Sequence, residues 1–195
     1  MKIIKALIII LAFFSFACSL SRTEASLHPW YNPQNFHDQY NLQVESYNRK
    51  SLNSKVPKIT TLKRNDDNPQ LYSSYFDGIL PGGQLSVITG SNGKLESIMI
   101  MKEIDGYIQI KDKTVPKEIF KCTEIGVLIL AVLGYPMNDN VSKQRVTDAI
   151  VKIVCNYDHD DNIEYLYNPS LGITYALAYK VSKGILFLWI STPSK

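Results

Sequence analysis

Between Leu71 and Ser191 the chain falls into three blocks, and their order constrains the fold more than any other feature. The first block holds the runs Leu71–Phe76, Gln84–Thr89, Lys94–Lys102 and Tyr107–Lys111, rich in β-branched, aromatic and Met residues and separated by Gly, Pro and Asp. Gly90-Ser91-Asn92-Gly93, between two of these runs, is a hairpin signal because Asn and Gly accept the positive φ of tight turns. The block predicts a meander of three or four antiparallel strands. The second block is helical. Pro116 suits a first helical turn, and the segment from Lys117 to Leu133 runs on to a stop at Gly134-Tyr135-Pro136. Its end, Ile125 to Tyr135, is apolar all round, which fits a buried helix and a buried strand equally. From Ser142, a good N-cap, Val146, Ala149, Ile150, Ile153 and Val154 form an i, i+3, i+4, i+7, i+8 stripe, with Lys143, Arg145, Asp148 and Lys152 off it. The third block holds Ile163–Tyr167, Ile173–Tyr179 and Ile185–Ser191, the last two joined as a hairpin through residues 180–184. A helix stripe and half-buried strands must cover one another. Residues 71–195 therefore predict a single α+β domain, a mostly antiparallel sheet of five to seven strands with a helical pair packed on one face.

Upstream lie two further segments. Lys2 and Lys5 precede an apolar run, Ala6 to Phe16, interrupted at Ser15 alone and followed by small residues at Ala17, Ser19 and Ala25. This is the layout of a secretory signal peptide over residues 1–25, and a run of 11 residues falls short of the roughly 20 that a spanning helix needs. The expected location is secreted or periplasmic. Cleavage after Ser19 or Ala25 discards Cys18, whereas cleavage after Ala17 leaves it as the first mature residue. There Ala17-Cys18-Ser19 resembles a bacterial lipobox, although Ser15 and Phe16 depart from its pattern, and Cys18 becomes a candidate lipidation site. That anchor is the one membrane contact expected. Residues 26–70 have no sustained period and read as a polar tail or tether. Their aromatic residues either fold back on the domain or meet a partner, with Trp30, Tyr31 and Phe36 as candidate contacts. A basic stretch from Arg49 to Arg64 reads as a solvated linker, or as attraction to an anionic surface.

Charge and cysteine usage narrow the chemistry. Removing residues 1–25 takes away Lys2, Lys5, Arg22 and Glu24, which leaves 18 basic and 17 acidic residues of the 21 and 18 in the whole chain. A charge near +1 gives no electrostatic case for nucleic acid. Cys122 and Cys155 lie 16 and 17 residues from a helix turn near residue 138, at similar height on the expected helix pair. A disulfide between them is expected where the side chains face each other, stabilising by roughly 3–4 kcal/mol on the chain-entropy model. Gly90-Ser91-Asn92-Gly93-Lys94 lacks the spacing and following helix of a phosphate loop. Asp158 to Glu164 alternates oxygen ligands as calcium loops do, but Ile163 and Pro169 stand where such loops need Gly and Glu. It reads as a solvated loop, with a weak ion site as the alternative. The three histidines, His28, His37 and His159, lie in the tail and in this loop. No catalytic residue, cofactor site or metal ligand set is expected.

The last third carries a resemblance. Leu133-Gly134-Tyr135-Pro136 after a helix, then Tyr165-Leu166-Tyr167, Gly172-Ile173-Thr174-Tyr175 and an apolar closing strand, resembles the outer-membrane assembly lipoprotein family of bacterial envelope modules. The helix from Ser142 to Cys155 is an insertion relative to that pattern. The resemblance implies an envelope scaffold or adaptor role with no catalytic residues to carry over. The expected function is an exported, non-enzymatic binding or adaptor protein that acts on a macromolecular partner, a protein, through its sheet face or aromatic tail. The alternative is a secreted hydrolase or toxin whose acidic site assembles only in the fold.

Overall fold

A computed structural model of the chain describes residues 32–51, 54–110, 112–157, 159 and 162–191. Its strands are β1 (Lys63–Arg64), β2 (Leu71–Tyr75), β3 (Gln84–Thr89), β4 (Leu95–Glu103), β5 (Tyr107–Ile110), β6 (Lys113–Pro116), β7 (Ile163–Asn168), β8 (Ile173–Ser182) and β9 (Ile185–Ser191). Its helices are α1 (Pro33–Lys50), α2 (Ile119–Val132) and α3 (Asn140–Cys155). Seven strands form one antiparallel sheet in the order β1-β2-β3-β4-β9-β8-β7, and β5-β6 form a separate two-stranded ribbon. The fold is α+β and mostly sheet. The meander β1 to β4 and the hairpin meander β7 to β9 meet where β4 pairs with β9. The turn between β8 and β9 is two residues long, with Lys183 at φ 51° and Gly184 at φ 75°, the conformation that matches strand twist.

One face of the sheet is covered. Ile98 and Ile100 of β4, Leu186, Leu188 and Ile190 of β9, and Tyr175, Leu177 and Tyr179 of β8 are buried on it. The run from Ile125 to Tyr135, open between helix and strand in the sequence, is helical through Val132 and apolar around its circumference. Gly126 lets α2 approach the sheet closely, because a Cβ there would stand 2.6 Å from Leu188 Cδ2. The helix ends in a Schellman motif: Tyr135 N–H donates to the Leu130 carbonyl and Gly134 N–H to that of Ala131, with Gly134 at φ 85°. Tyr175 Oη donates to the Leu133 carbonyl at 2.6 Å, and Asn168 Nδ2 to that of Gly134 at 2.8 Å. Asn168 and Tyr175 thus pin the helix end to β7 and β8. Pro116 closes the ribbon opposite Tyr107 instead of opening the helix, which starts three residues later.

The tail reading of residues 26–70 is corrected for its described part. Residues 33–50 are a helix that packs on α2, started by Pro33 and by the Asn32 side chain accepting from Asn35 N–H. Phe36, Tyr40, Val44 and Tyr47 are its buried stripe. Asn41 and Asn48, two helical turns apart, each clasp the following extended segment through two bonds: Asn41 Nδ2 to the Ile59 carbonyl and Ile59 N–H to Asn41 Oδ1, Asn48 Nδ2 to the Val56 carbonyl and Val56 N–H to Asn48 Oδ1. Tyr40 Oη donates to the Pro57 carbonyl. Residues 56–59 are thereby drawn into the core, with Val56 and Ile59 buried.

The expected cost of Phe36→Ala is about 3–5 kcal/mol, that of emptying a packed aromatic site. Urea denaturation of the full chain measures it; an unchanged midpoint would return residues 33–50 to the status of a tail.

Candidate functional site

The side chains that alternate with the buried ones point away from the helices, and the registers line them up in rows. Met99 lies between Ser86 and Trp189, Trp189 faces Ala178, and Ala178 faces Ile163. In the next row Tyr75 faces Gln84, Gln84 faces Met101, Met101 faces Phe187 and Phe187 faces Lys180. On the other side of the Trp189 row, Leu71 and Ile88 lie at one end and Tyr165 at the other. Tyr165 is 65% exposed, Tyr75 61%, Tyr167 52%, Trp189 46% and Ile163 44%. Seven strands at the usual spacing make this face roughly 29 Å across. An antiparallel sheet commonly turns one face to water, but that face is then polar. Here it is aromatic, aliphatic and Met-rich, with Glu103 and Lys180 towards one end and Lys63 on the edge strand β1. Ser73, Ser86, Ser97, Ser191 and Gln84 lie among these side chains, so the apolar patch is centred on Met99, Met101, Phe187 and Trp189 and runs on to Ile163 and Tyr165. An exposed apolar patch is a usual mark of an interaction site.

A second cluster is partly buried, with Asp105 as its exposed end. Lys102, buried on the covered face of β4, donates to Asp105 Oδ2 at 2.8 Å, and Glu118 Oε1 accepts from Asp105 N–H at 3.3 Å. Glu118 Oε2 has no partner among the described residues. Tyr179 Oη and Thr123 Oγ1 are 2.7 Å apart nearby. Cys122 joins this cluster. Burial, reinforced by the Glu118 carboxylate and partly opposed by Lys102, pushes its thiol from an ordinary 9.0 up to about 12. At neutral pH it is therefore protonated and unsuited to nucleophilic attack.

The expected disulfide is corrected, since Cys122 and Cys155 are both free. Cys122 points into the core from α2. Cys155 follows the stripe residue Ile153 by two positions, about 200° around α3, and is exposed. Phe36 is also corrected as a surface contact, because it is fully buried and stacked on Tyr40 with ring centroids 6.0 Å apart. Cys18, Trp30, Tyr31 and the leader lie outside the described residues.

Among the described residues, the acids that line grooves share them with bases. A groove of about 440 Å³ between α3 and β7 is lined by Arg145, Asp148, Lys152 and Glu164, with Lys152 and Glu164 paired at 3.2 Å. A second, of about 390 Å³, holds the Glu45–Lys58 pair. Among the described residues no three His, Cys, Asp or Glu side chains stand together as metal ligands. Gly90 to Lys94 is a tight turn, closed by Gly90 N–H to the Lys94 carbonyl.

The open face was only half visible in the sequence. Its signal is that Ile98 to Met101 and Ile185 to Ile190 are apolar at successive positions, so both faces of β4 and β9 are apolar. No protein-family model, curated protein or solved structure matches the chain.

Burial also pushes the Tyr175 hydroxyl up to about 12 and that of Tyr179 well above its ordinary value. Unfolding releases these protons once the pH exceeds the unfolded values, so the folded state binds more protons and stability falls as pH rises. Full stability is expected below pH 9, with a decline from 9 towards 12 of up to about 1.4 kcal/mol per pH unit for each such group. Urea midpoints measured between pH 7 and 10.5 check this. In Cys122→Ala the decline should start nearer the tyrosine range; an onset unchanged by that substitution would contradict the thiol's part in it.

Proposed function

We propose that the chain is an exported, non-enzymatic binding or adaptor protein that docks a protein partner on the bare face of its sheet, in the cell envelope or outside the cell. The observation that carries this reading is the face itself, with Trp189, Met99 and Met101 central and Tyr75, Tyr165 and Tyr167 around them. The matching partner surface is uncharged, apolar opposite Trp189 and the Met residues and polar opposite the serines, since among the described residues charge stands towards the margins of the face. Its exposed aromatic rings are the side-chain type that most often dominates binding energy. The leader read in residues 1–25 and the resemblance of the last third to envelope lipoproteins supply the cellular setting, with Cys18 as the candidate anchor.

Site-specific photo-crosslinking in the exporting cell tests the reading. A crosslinker at Trp189 or Met101 should yield one defined protein adduct, and one at Leu42 or Val141, exposed elsewhere on the molecule, should not. Trp189→Ala should then weaken binding of the captured partner at least tenfold, as loss of a central aromatic anchor does. Adducts from Leu42 and Val141 but not from the sheet, or adducts with lipid alone, would overturn it.

A further inference from the structure

The two edges of the sheet differ. β1 is two residues long and carries exposed Lys63 and Arg64, the short, charged edge that resists pairing. β7 is six residues long, and its outward set is Ile163, Tyr165 and Tyr167, with neither Pro nor Lys.

Which backbone groups point outwards follows from the ladder. The two-residue turn makes Ser182 and Ile185 a hydrogen-bonded pair, so alternate residues of β8 back to Ala176 bond to β9, and those between them bond to β7. Leu177, Tyr175 and Ile173 thus bond Glu164, Leu166 and Asn168. The same phase extends across the sheet, where Ile104 N–H donates to the Gly184 carbonyl and Phe76 N–H to that of Gly83. The N–H and C=O groups of Ile163, Tyr165 and Tyr167 therefore point away from the sheet, and among the described residues nothing meets them.

We propose that β7 pairs antiparallel with β7 of a second copy of this chain, about a two-fold axis at Tyr165, so that two sheets become one. This register is self-complementary. Tyr165 faces its own equivalent and Ile163 faces Tyr167 of the second copy, so each exposed apolar side chain of the edge gains an apolar cross-strand neighbour and each outward backbone pair gains its mate. Charge agrees on the helix side. Lys152 is level with Glu164, and Arg145 lies seven residues away along α3, about 10.5 Å, or about three residues along the strand. Arg145 is thus level with Leu166 and Tyr167, in the groove beside the edge, and has no ion pair among the described residues. The two-fold axis sets Glu164 of the second copy opposite Leu166, within reach of Arg145, and the contact repeats by symmetry. An interface of one short strand pair and flanking side chains is at the small end of known sizes, so the dimer is concentration-dependent. The inference concerns the sheet edge and holds whatever occupies the sheet face.

Sedimentation velocity of the full chain between about 1 and 100 µM should show one chain converting to two. Tyr165→Pro removes the outward N–H together with the ring at the two-fold axis, a change that an edge strand tolerates, and should give a folded monomer. Tyr165→Lys serves if the proline variant fails to fold. With Cys18 and Cys155 replaced by Ser, Tyr165→Cys should oxidise to a disulfide dimer, since hydrogen-bonded antiparallel partners lie about 5.5 Å apart at Cα. Ile163→Cys alone should not cross-link, but should do so when mixed with Tyr167→Cys. A chain monomeric across the whole range, or a dimer that survives Tyr165→Pro and Tyr165→Lys and does not cross-link at position 165, overturns the proposal.

Discussion

Everything in this molecule is arranged around a helix that has almost no face for water. Ten of the fourteen residues of α2 are buried. An ordinary amphipathic helix on a sheet needs one apolar stripe, but α2 must be covered all round. The sheet supplies one side, at Gly126 on Leu188 and Ile190. Both α1 and α3 pack against it as well. That requirement is why residues 33–50, poor in apolar residues, belong to the core. Four large side chains of α1 find a ready apolar surface, and the two Asn clasps then fix the strap that follows.

Covering α2 concentrates the helices on one side of the sheet and leaves the other side to its own side chains. Burial is worth roughly 25 cal/mol per Å² of apolar surface. A bare apolar patch of about 400 Å² would therefore release on the order of 10 kcal/mol when covered. Association itself costs an estimated 4–15 kcal/mol. Area alone thus supports modest affinity, and the central rings must supply specificity and the remaining strength. The cluster of Lys102, Asp105, Glu118 and Cys122 bears the other concentration of polar chemistry; Asp105 is its exposed end, while burial keeps the Cys122 thiol protonated at neutral pH.

The larger part of the fold was legible. The strands from Leu71, Gln84, Ile173 and Ile185 begin where β-branched and aromatic runs follow turn residues, and Val146, Ala149, Ile150 and Ile153 form the stripe that α3 buries. What escaped was governed by tertiary contact. The Phe36, Tyr40, Val44, Tyr47 stripe sits among Asn, Gln and His, with exposed Leu42 breaking its pattern, and such a helix owes its stability to the surface it meets. Tyr107–Ile110 reads as one more strand of the meander, yet its partner is Lys113–Pro116. Cys122 faces the core and Cys155 faces outwards, an azimuth that a count of residues does not reveal. The open face needs the register of four strands before Met99, Trp189 and Ile163 fall into one row.

The two-sidedness of the sheet is the claim on which the functional reading rests. Hydroxyl-radical footprinting of the native full chain, read residue by residue by mass spectrometry, tests it directly, because Tyr, Trp, Phe and Met are all reactive and both faces carry them. Trp189 and Tyr75, and at concentrations where the chain is a monomer also Tyr165 and Tyr167, should oxidise readily, while Tyr175, Tyr179, Tyr40 and Phe36 should be strongly protected. Equal protection of both sets would mean that the face is covered in the native protein and would contradict the account.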